Sequence, residues 1–310
     1  MENVKDFESF YAVNIQPYAD ELNQNRVSLK NWKAFTFATG SFCLLSFILF
    51  HFKRFPSGGV LAGAFLLMCI VGIYYCTLYQ DRYLENFKEK IIRQIISYIH
   101  PVAIYKPMAF VSKKEYKASG LFRRKFTHFD GNDYWESNYN GISFHCSEIE
   151  SSYSDPGGSE SIFKGLFFTV KLQGGFTGGT YVWAKENVQL PASIADERYR
   201  MFAMPPIEKF HLAHSLFNKA YAVYTTNAYE AGRILSGEMP GHMLLLKERL
   251  KKDIVFSFVA GRCYVAVPFA EDLLEPAPGG VHDKEAIRNY FQTILLVFNI
   301  IKRLELHKLG

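Results

Sequence analysis

Apolar positions fall into three textures along the chain. Residues 34–52 (AFTFATGSFCLLSFILFHF) and 60–79 (VLAGAFLLMCIVGIYYCTLY) are 19 and 20 residues long and hold no Lys, Arg, Asp or Glu. A bilayer core about 30 Å thick takes about 20 helical residues at 1.5 Å each, so both have the length of a span. Core helices of a soluble protein run shorter and carry a polar stripe, which neither stretch has. Between them Lys53-Arg54-Phe55-Pro56-Ser57-Gly58-Gly59 is rich in helix breakers, and a tight transmembrane hairpin over 34–79 is expected.

The second texture is amphipathic. In residues 1–33, Phe7, Phe10, Tyr11, Ile15 and Leu22 form a helical stripe with a break near Pro17. After the second span, Leu84, Phe87, Ile91, Ile92, Ile95, Ile96 and Ile99 recur at three and four residues and stop before Pro101. A stalk helix over 80–100, paired with the N-terminal helix, follows from that pattern.

From residue 101 onward the third texture is short strands and turns. Ile142–Ile149 and Phe163–Leu172 alternate, with Asp155-Pro156-Gly157-Gly158 between them and Gly174-Gly175-Phe176-Thr177-Gly178-Gly179 after them, the latter read as a β-hairpin turn. Strands Ala220–Thr225, Ile254–Val259 and Cys263–Pro268 are mixed with helical Tyr229–Leu235 and Met243–Leu250. Ala260-Gly261-Arg262 joins the last two strands, and Ile287, Phe291, Ile294, Phe298 and Ile301 close the chain on a helix. The expected fold class is α+β: a two-helix transmembrane hairpin with a helical stalk, plus a cytosolic antiparallel-sheet domain over 101–310, with two sub-blocks split near 205.

Charge sets the topology. Arg26, Lys30, Lys33, Arg82, Lys88, Lys90 and Arg93 flank the outer ends of the spans, against Lys53 and Arg54 in the turn. The positive-inside bias then predicts a multi-pass protein of the cell inner membrane with both termini cytoplasmic. The charged residues ahead of the first span argue against a cleaved leader. Gly59 and Gly63 form one small-xxx-small pair that lets helices approach. No Lys, Arg, His, Asp or Glu lies mid-membrane in either stretch, which argues against transport. Three of the five cysteines, Cys43, Cys69 and Cys76, lie in the spans; Cys146 and Cys263 make neither a disulfide framework nor a metal set.

Several segments resemble the bacterial domain-of-unknown-function family 3137. They include Phe144-His145-Cys146-Ser147-Glu148, Phe163-Lys164-Gly165-Leu166-Phe167-Phe168, Tyr221-Ala222-Val223-Tyr224-Thr225-Thr226 and Glu230-Ala231-Gly232-Arg233-Ile234-Leu235. Ser257-Phe258-Val259, Tyr264-Val265-Ala266-Val267-Pro268 and Leu274-Glu275-Pro276 complete the pattern. The resemblance implies an N-terminal helix, a two-span hairpin and a cytosolic α+β domain, and carries no established activity. Two positions depart from it: the usual Gly-Glu-Asp reads Gly131-Asn132-Asp133, and the Asp after Thr225-Thr226 is Asn227.

The densest polar cluster is His128, Asp130, Asp133, Glu136, His145, Glu148 and Glu150. His128, Asp133, His145 and Glu148 are candidate acid/base residues, although on a strand His145 and Glu148 face opposite sides. Their spacing matches no metal signature, and neither a metal nor a cofactor is expected. His145 beside Cys146 does not make a nucleophile pair, because adjacent strand residues point apart. His211 and His214 lack a third ligand nearby, and the glycine-rich segment lacks the Lys-Ser/Thr ending of a phosphate loop.

The strongest charge feature is Lys113, Lys114, Lys117, Arg123, Arg124 and Lys125, with one acid, Glu115, among them. Each basic residue near an anionic bilayer is worth about 1 kcal/mol, so lipid headgroups are the expected contact. A solvated basic face with no partner is the plain alternative. Net charge of +5 is too small for nucleic acid as a partner. The function expected is that of a membrane protein whose cytosolic domain binds a partner protein or ligand at the membrane surface, with homo-oligomers as one form of partner. A membrane-anchored enzyme using residues in 128–150, and an oligomeric membrane-perturbing effector, are the competing classes; a non-enzymatic role is preferred.

Overall fold

A computed structural model describes residues 4–52, 57–172, 174–185, 207–277, 279–304 and 306. The expected span-joining residues Lys53, Arg54, Phe55 and Pro56 and the expected split near 205 lie outside the described residues. The chain divides into two compact units, Met1–Ile95 with Glu275–Tyr290, and Ile96–Leu274 with Phe291–Gly310.

The first unit is helical. Helix α1 (Val4–Phe10) passes through a π-helical turn (Tyr11–Ile15) into α2 (Gln16–His51); α3 (Gly58–Phe87) passes through a second π turn (Lys88–Ile92) into α4 (Arg93–Ile99). Two continuous helices, Phe7–His51 and Gly58–Ile99, are therefore long and apolar enough to cross a membrane. The expected break at Pro17 takes the form of the preceding π turn. Pro17, which has no amide hydrogen to give the preceding turn, stands at the second position of α2, directly after that π turn.

The amphipathic stripes do pack. Phe7, Phe10, Tyr11, Ile15 and Leu22 are buried, as are Phe87, Ile91, Ile92 and Ile95. Lys90 bonds Glu21 at 2.5 Å between the two helices. What the sequence pattern does not show is the third strand of this packing. Residues 275–290, assigned from sequence to the cytosolic domain, belong to this unit. The Tyr11 hydroxyl donates to the Val281 carbonyl at 3.1 Å, and Glu8 meets Lys284 and Arg288 at 3.2 and 3.0 Å. In the apolar part of α2, Thr36, Thr39 and Ser41 return their hydroxyls to carbonyls one turn back, which satisfies these three donors within the helix.

The second unit is built on one antiparallel sheet. Its strands are β1 (Ile104–Lys106), β2 (His128–Tyr139), β3 (Ile142–Asp155), β4 (Gly158–Lys171), β5 (Gly179–Ala184), β6 (Glu208–Phe210), β7 (Tyr221–Thr225), β8 (Val255–Val259) and β9 (Arg262–Pro268). Among the described residues their order is β1-β2-β3-β4-β9-β8-β5-β7-β6. Asp155–Gly158 and Ala260-Gly261 make tight hairpins as expected. The glycine-rich stretch after β4 does not: β9 and β8 lie between β4 and β5, so residues 174–178 are a crossover loop, a correction to the hairpin expectation. Hairpin chemistry is local, whereas the insertion of β9 and β8 is set by residues eighty positions away.

Alternation gives the sheet two faces. On one, α5 (Lys113–Ala118) and residues 119–129 lay Tyr116, Phe122, Phe126 and Phe129 over Phe163, Phe167, Tyr181 and Trp183. Two buried polar groups under this layer are bonded: the Tyr116 hydroxyl lies 2.8 Å from Ser151 Oγ, and Trp183 Nε1 donates to the Leu121 carbonyl at 2.9 Å. The other face receives α9 (Lys284–Arg303) through Phe298, which contacts Trp135 and Phe144. It also carries α6 (Ser215–Ala220), α7 (Ala228–Ile234) and α8 (Met239–Leu250), with Tyr221 donating to the Met243 carbonyl.

Candidate functional site

The four acid/base candidates do not form one site. His128 is exposed at the start of β2 and pairs in register with Ser152, seven positions along β3 from His145. That is about 23 Å at 3.3 Å per residue. His145 and Glu148 fall on opposite faces, as the alternation predicted.

Asp133 and Glu148 do converge. A bulge in β2 between Asn132 and Trp135 puts Asp133 in the left-handed region (φ 57°), so its side chain turns inward despite its polarity. Asp133 is buried, accepts a hydrogen bond from Tyr105 and donates its own amide to the Pro107 carbonyl at 2.8 Å. Glu148 is buried too, and its Oε2 accepts from the Leu273 amide at 3.0 Å. Both line a cavity with Trp135, Leu166, Leu273 and Ile294 whose free space is about 10 Å³, the room of one water. The arrangement ties β1 and the 273–274 segment to the sheet and has no room for a substrate. Cys146, next to this pair, has its thiol pushed well up by burial and by the Asp133 charge, which is the reverse of a nucleophile's environment.

His145 joins a different group. Its Nε2 lies 2.8 Å from Glu115 Oε1, Arg262 stands 3.9 Å from the same oxygen, and the Tyr134 ring packs at 5.7 Å. Burial alone raises the Glu115 carboxyl, but the His145 hydrogen bond and charge, with Thr169 and Arg262, outweigh it and hold the pKa below its ordinary value. Sequence reasoning treated Glu115 only as the acid inside a basic run. The capping pattern Ser112-Lys113-Lys114-Glu115 was the missed signal: Ser112 Oγ accepts from the Glu115 amide at 3.2 Å and starts α5.

The glycine-rich loop is occupied from within. The Thr177 and Gly178 amides donate to the Glu230 carboxylate at 3.2 and 2.8 Å, and the Gly179 amide to Thr226 Oγ1. Asn227, which departs from the family's Asp, caps α7 by accepting from the Tyr229 and Glu230 amides. Asn and Asp cap about equally well, so the capping role is kept at this position. His214 likewise caps α6 through Nδ1. Among the described residues, no group of three or more His, Cys, Asp and Glu is placed to hold a metal ion.

The basic block is divided by its surroundings. Arg123 turns inward and stacks over Tyr181 at 4.7 Å, and Arg124 forms a two-pronged pair with Glu160, one arm at 2.6 Å. Lys113 and Lys117 stand 4.9 and 5.4 Å from the Phe126 ring centre, and Lys114 and Lys125 are exposed. A further pair, Lys251-Lys252, follows α8; in the sequence it looks like the ordinary basic end of a helix.

Residues 161–306 match the model of a family described as "Protein of unknown function (DUF3137)". Over this segment, just under half of the chain, the protein is similar to that family. The DUF3137 match runs from β4 through α9; the two long helices, the basic block, Asp133 and Glu148 lie ahead of it. No curated protein matches the chain. Among solved structures, the crystal structure of the mycobacterial trehalose monomycolate transport factor A, TtfA, aligns at a TM-score of 0.36 and 8% identity, covering 70% of this chain and 96% of that one.

Proposed function

We propose that the protein is an integral membrane protein whose α2 and α3 cross the cell inner membrane as a hairpin, with both termini cytoplasmic. Its α+β domain engages a partner protein or ligand at the anionic membrane surface. The observation that carries this is the exposure of large apolar side chains on two helical stretches, residues 34–52 and 60–79, that hold no Lys, Arg, Asp or Glu. Phe37 and Val60 are each 79% exposed, Leu67 66% and Phe47 58%. In water each such side chain forgoes about 1.5–3 kcal/mol of burial, and only an apolar phase returns it. Trp32 stacks on Tyr75 at 4.4 Å near the span ends, where amphipathic rings favour the interface.

Orientation rests on the seven basic residues at the outer ends of the spans against two in the turn. Lys113, Lys114, Lys117 and Lys125 are the side chains proposed to meet headgroups; Arg123 and Arg124 support them from within the fold. Protease added to spheroplasts tests the orientation. A C-terminal epitope should survive until the cells are lysed, and its loss from intact spheroplasts would remove the proposal.

A further inference from the structure

The first residues of β4 stand between two basic elements far apart in sequence. Glu160 holds Arg124 of the block described above. The next residues, Ser161, Ile162 and Phe163, line an open groove of about 610 Å³ together with Pro268, Phe269, Lys251 and Lys252. Phe163 also stacks at 4.7 Å on Phe122, beside Arg123, so the groove and the basic block share one end of the sheet.

The groove's charge is not balanced internally. Lys164 is met by Asp272 at 2.6 Å and Glu150 at 3.7 Å, and Asp253 by Lys247 at 2.6 Å. Among the described residues no acid lies within ion-pair range of Lys251 or Lys252. Lys252 Nζ instead rests 4.8 Å over the Phe269 ring. Lys251 sits at φ 50°, ψ 42°, the helix-ending left-handed position that glycine fills at least cost, yet a lysine stands there and is exposed.

We infer that this groove is a second headgroup contact, in which Lys251 and Lys252 take the phosphate of an anionic lipid while Phe269 and Pro268 lie against its apolar part. Compact, hydrated ammonium groups on flexible stems suit a phosphate presented in many orientations, and aromatic rings suit the boundary between headgroup and acyl chain. A bilayer is the favoured source of phosphate because the same chain supplies two helices of membrane length. The inference therefore rests on the membrane reading proposed above.

The test uses the full chain in lipid nanodiscs, with Cys43, Cys69 and Cys76 replaced by alanine and a fluorophore on Ala270→Cys (groove) or Ala118→Cys (basic block). Headgroup-spin-labelled lipid reports proximity by quenching. At both labels quenching should rise when phosphatidylglycerol is added to phosphatidylcholine and fall at high salt. Lys251→Gln with Lys252→Gln should weaken the contact at Ala270 about thirtyfold, from about 1 kcal/mol per lysine, and leave Ala118 unchanged. Lys251→Arg with Lys252→Arg should keep it, which controls for folding. A label at Ala270 indifferent to lipid charge while Ala118 responds overturns this inference alone; indifference at both overturns the membrane-surface reading as well. An equal response at Ala270 to inorganic phosphate or polyglutamate in neutral discs would also overturn it, since the occupant would then not be the bilayer.

Discussion

Lys88 Nζ lies 2.8 Å from Glu275 Oε1, with the lysine side chain 2% exposed and the glutamate 28%. This pair fastens the 275–290 segment to the π turn after α3, and Phe87 meets the Tyr290 ring 5.6 Å away beside it. The unequal burial predicts unequal mutants. Glu275→Gln takes this carboxylate from a buried ammonium and should cost more than Lys88→Met, which leaves a carboxylate that water reaches. Thermal unfolding of the two variants in the same detergent measures the difference; equal losses would contradict the assignment.

Asp133 is held by geometry and by a bond, and the two can be separated. Asp133→Asn keeps a residue that tolerates positive φ and should lose about 1 kcal/mol, the extra strength of a charged acceptor. Asp133→Ala adds left-handed strain and leaves the Tyr105 hydroxyl without its acceptor, about 2–4 kcal/mol together. Urea unfolding followed by fluorescence of neighbouring Trp135 reads both. An alanine variant as stable as the asparagine one would show that the inward turn at the bulge carries no strain.

The depressed pKa of Glu115 fixes a direction with pH. A carboxyl lowered on folding contributes stability that is present above its unfolded value, near 4.5, and is lost as pH falls through the folded value. Wild type should therefore lose stability more steeply below about pH 4.5 than Glu115→Gln, and the two melting curves should converge at low pH. At neutral pH the substitution should cost about 1.5–3 kcal/mol, the usual worth of a hydrogen bond to a charged group. Parallel pH profiles would contradict the His145–Glu115 pairing.

Gly165 stands at φ 145°, where a Cβ would come within 2.2 Å of the Val267 carbonyl oxygen across the β4–β9 pair. Gly165→Ala should destabilise the sheet unit by about 3 kcal/mol or more, through backbone strain and separation of the two strands. Amide exchange in Phe163–Val170 reads this locally. Unchanged protection would place the strands further apart than described here.

What the sequence revealed and what it hid divide by the range of the interactions. The helical stripes from Phe7 to Leu22 and from Phe87 to Ile96 repeat every three or four residues, so local periodicity exposed them. Strand β2 did not alternate: His128–Tyr139 is buried only at Asp133 and Trp135, because a bulge interrupts its register. The hairpin at Ala260-Gly261 was readable from a short glycine-containing link between two strand patterns, and both residues do take positive φ. The crossover after β4 and the placement of 275–290 were not, since both depend on partners far away in the chain. At the candidate site, alternation correctly separated His145 from Glu148. Only the bulge explains why Asp133 turns inward to share a cavity with Glu148.

The central claim is that the helices continuous over 7–51 and 58–99 hold the chain in the bilayer. Alkaline carbonate extraction of membranes from cells making the full chain tests it most directly. The protein should stay with the sedimented membranes at high pH and leave them only with detergent; its release into the carbonate supernatant would contradict the account.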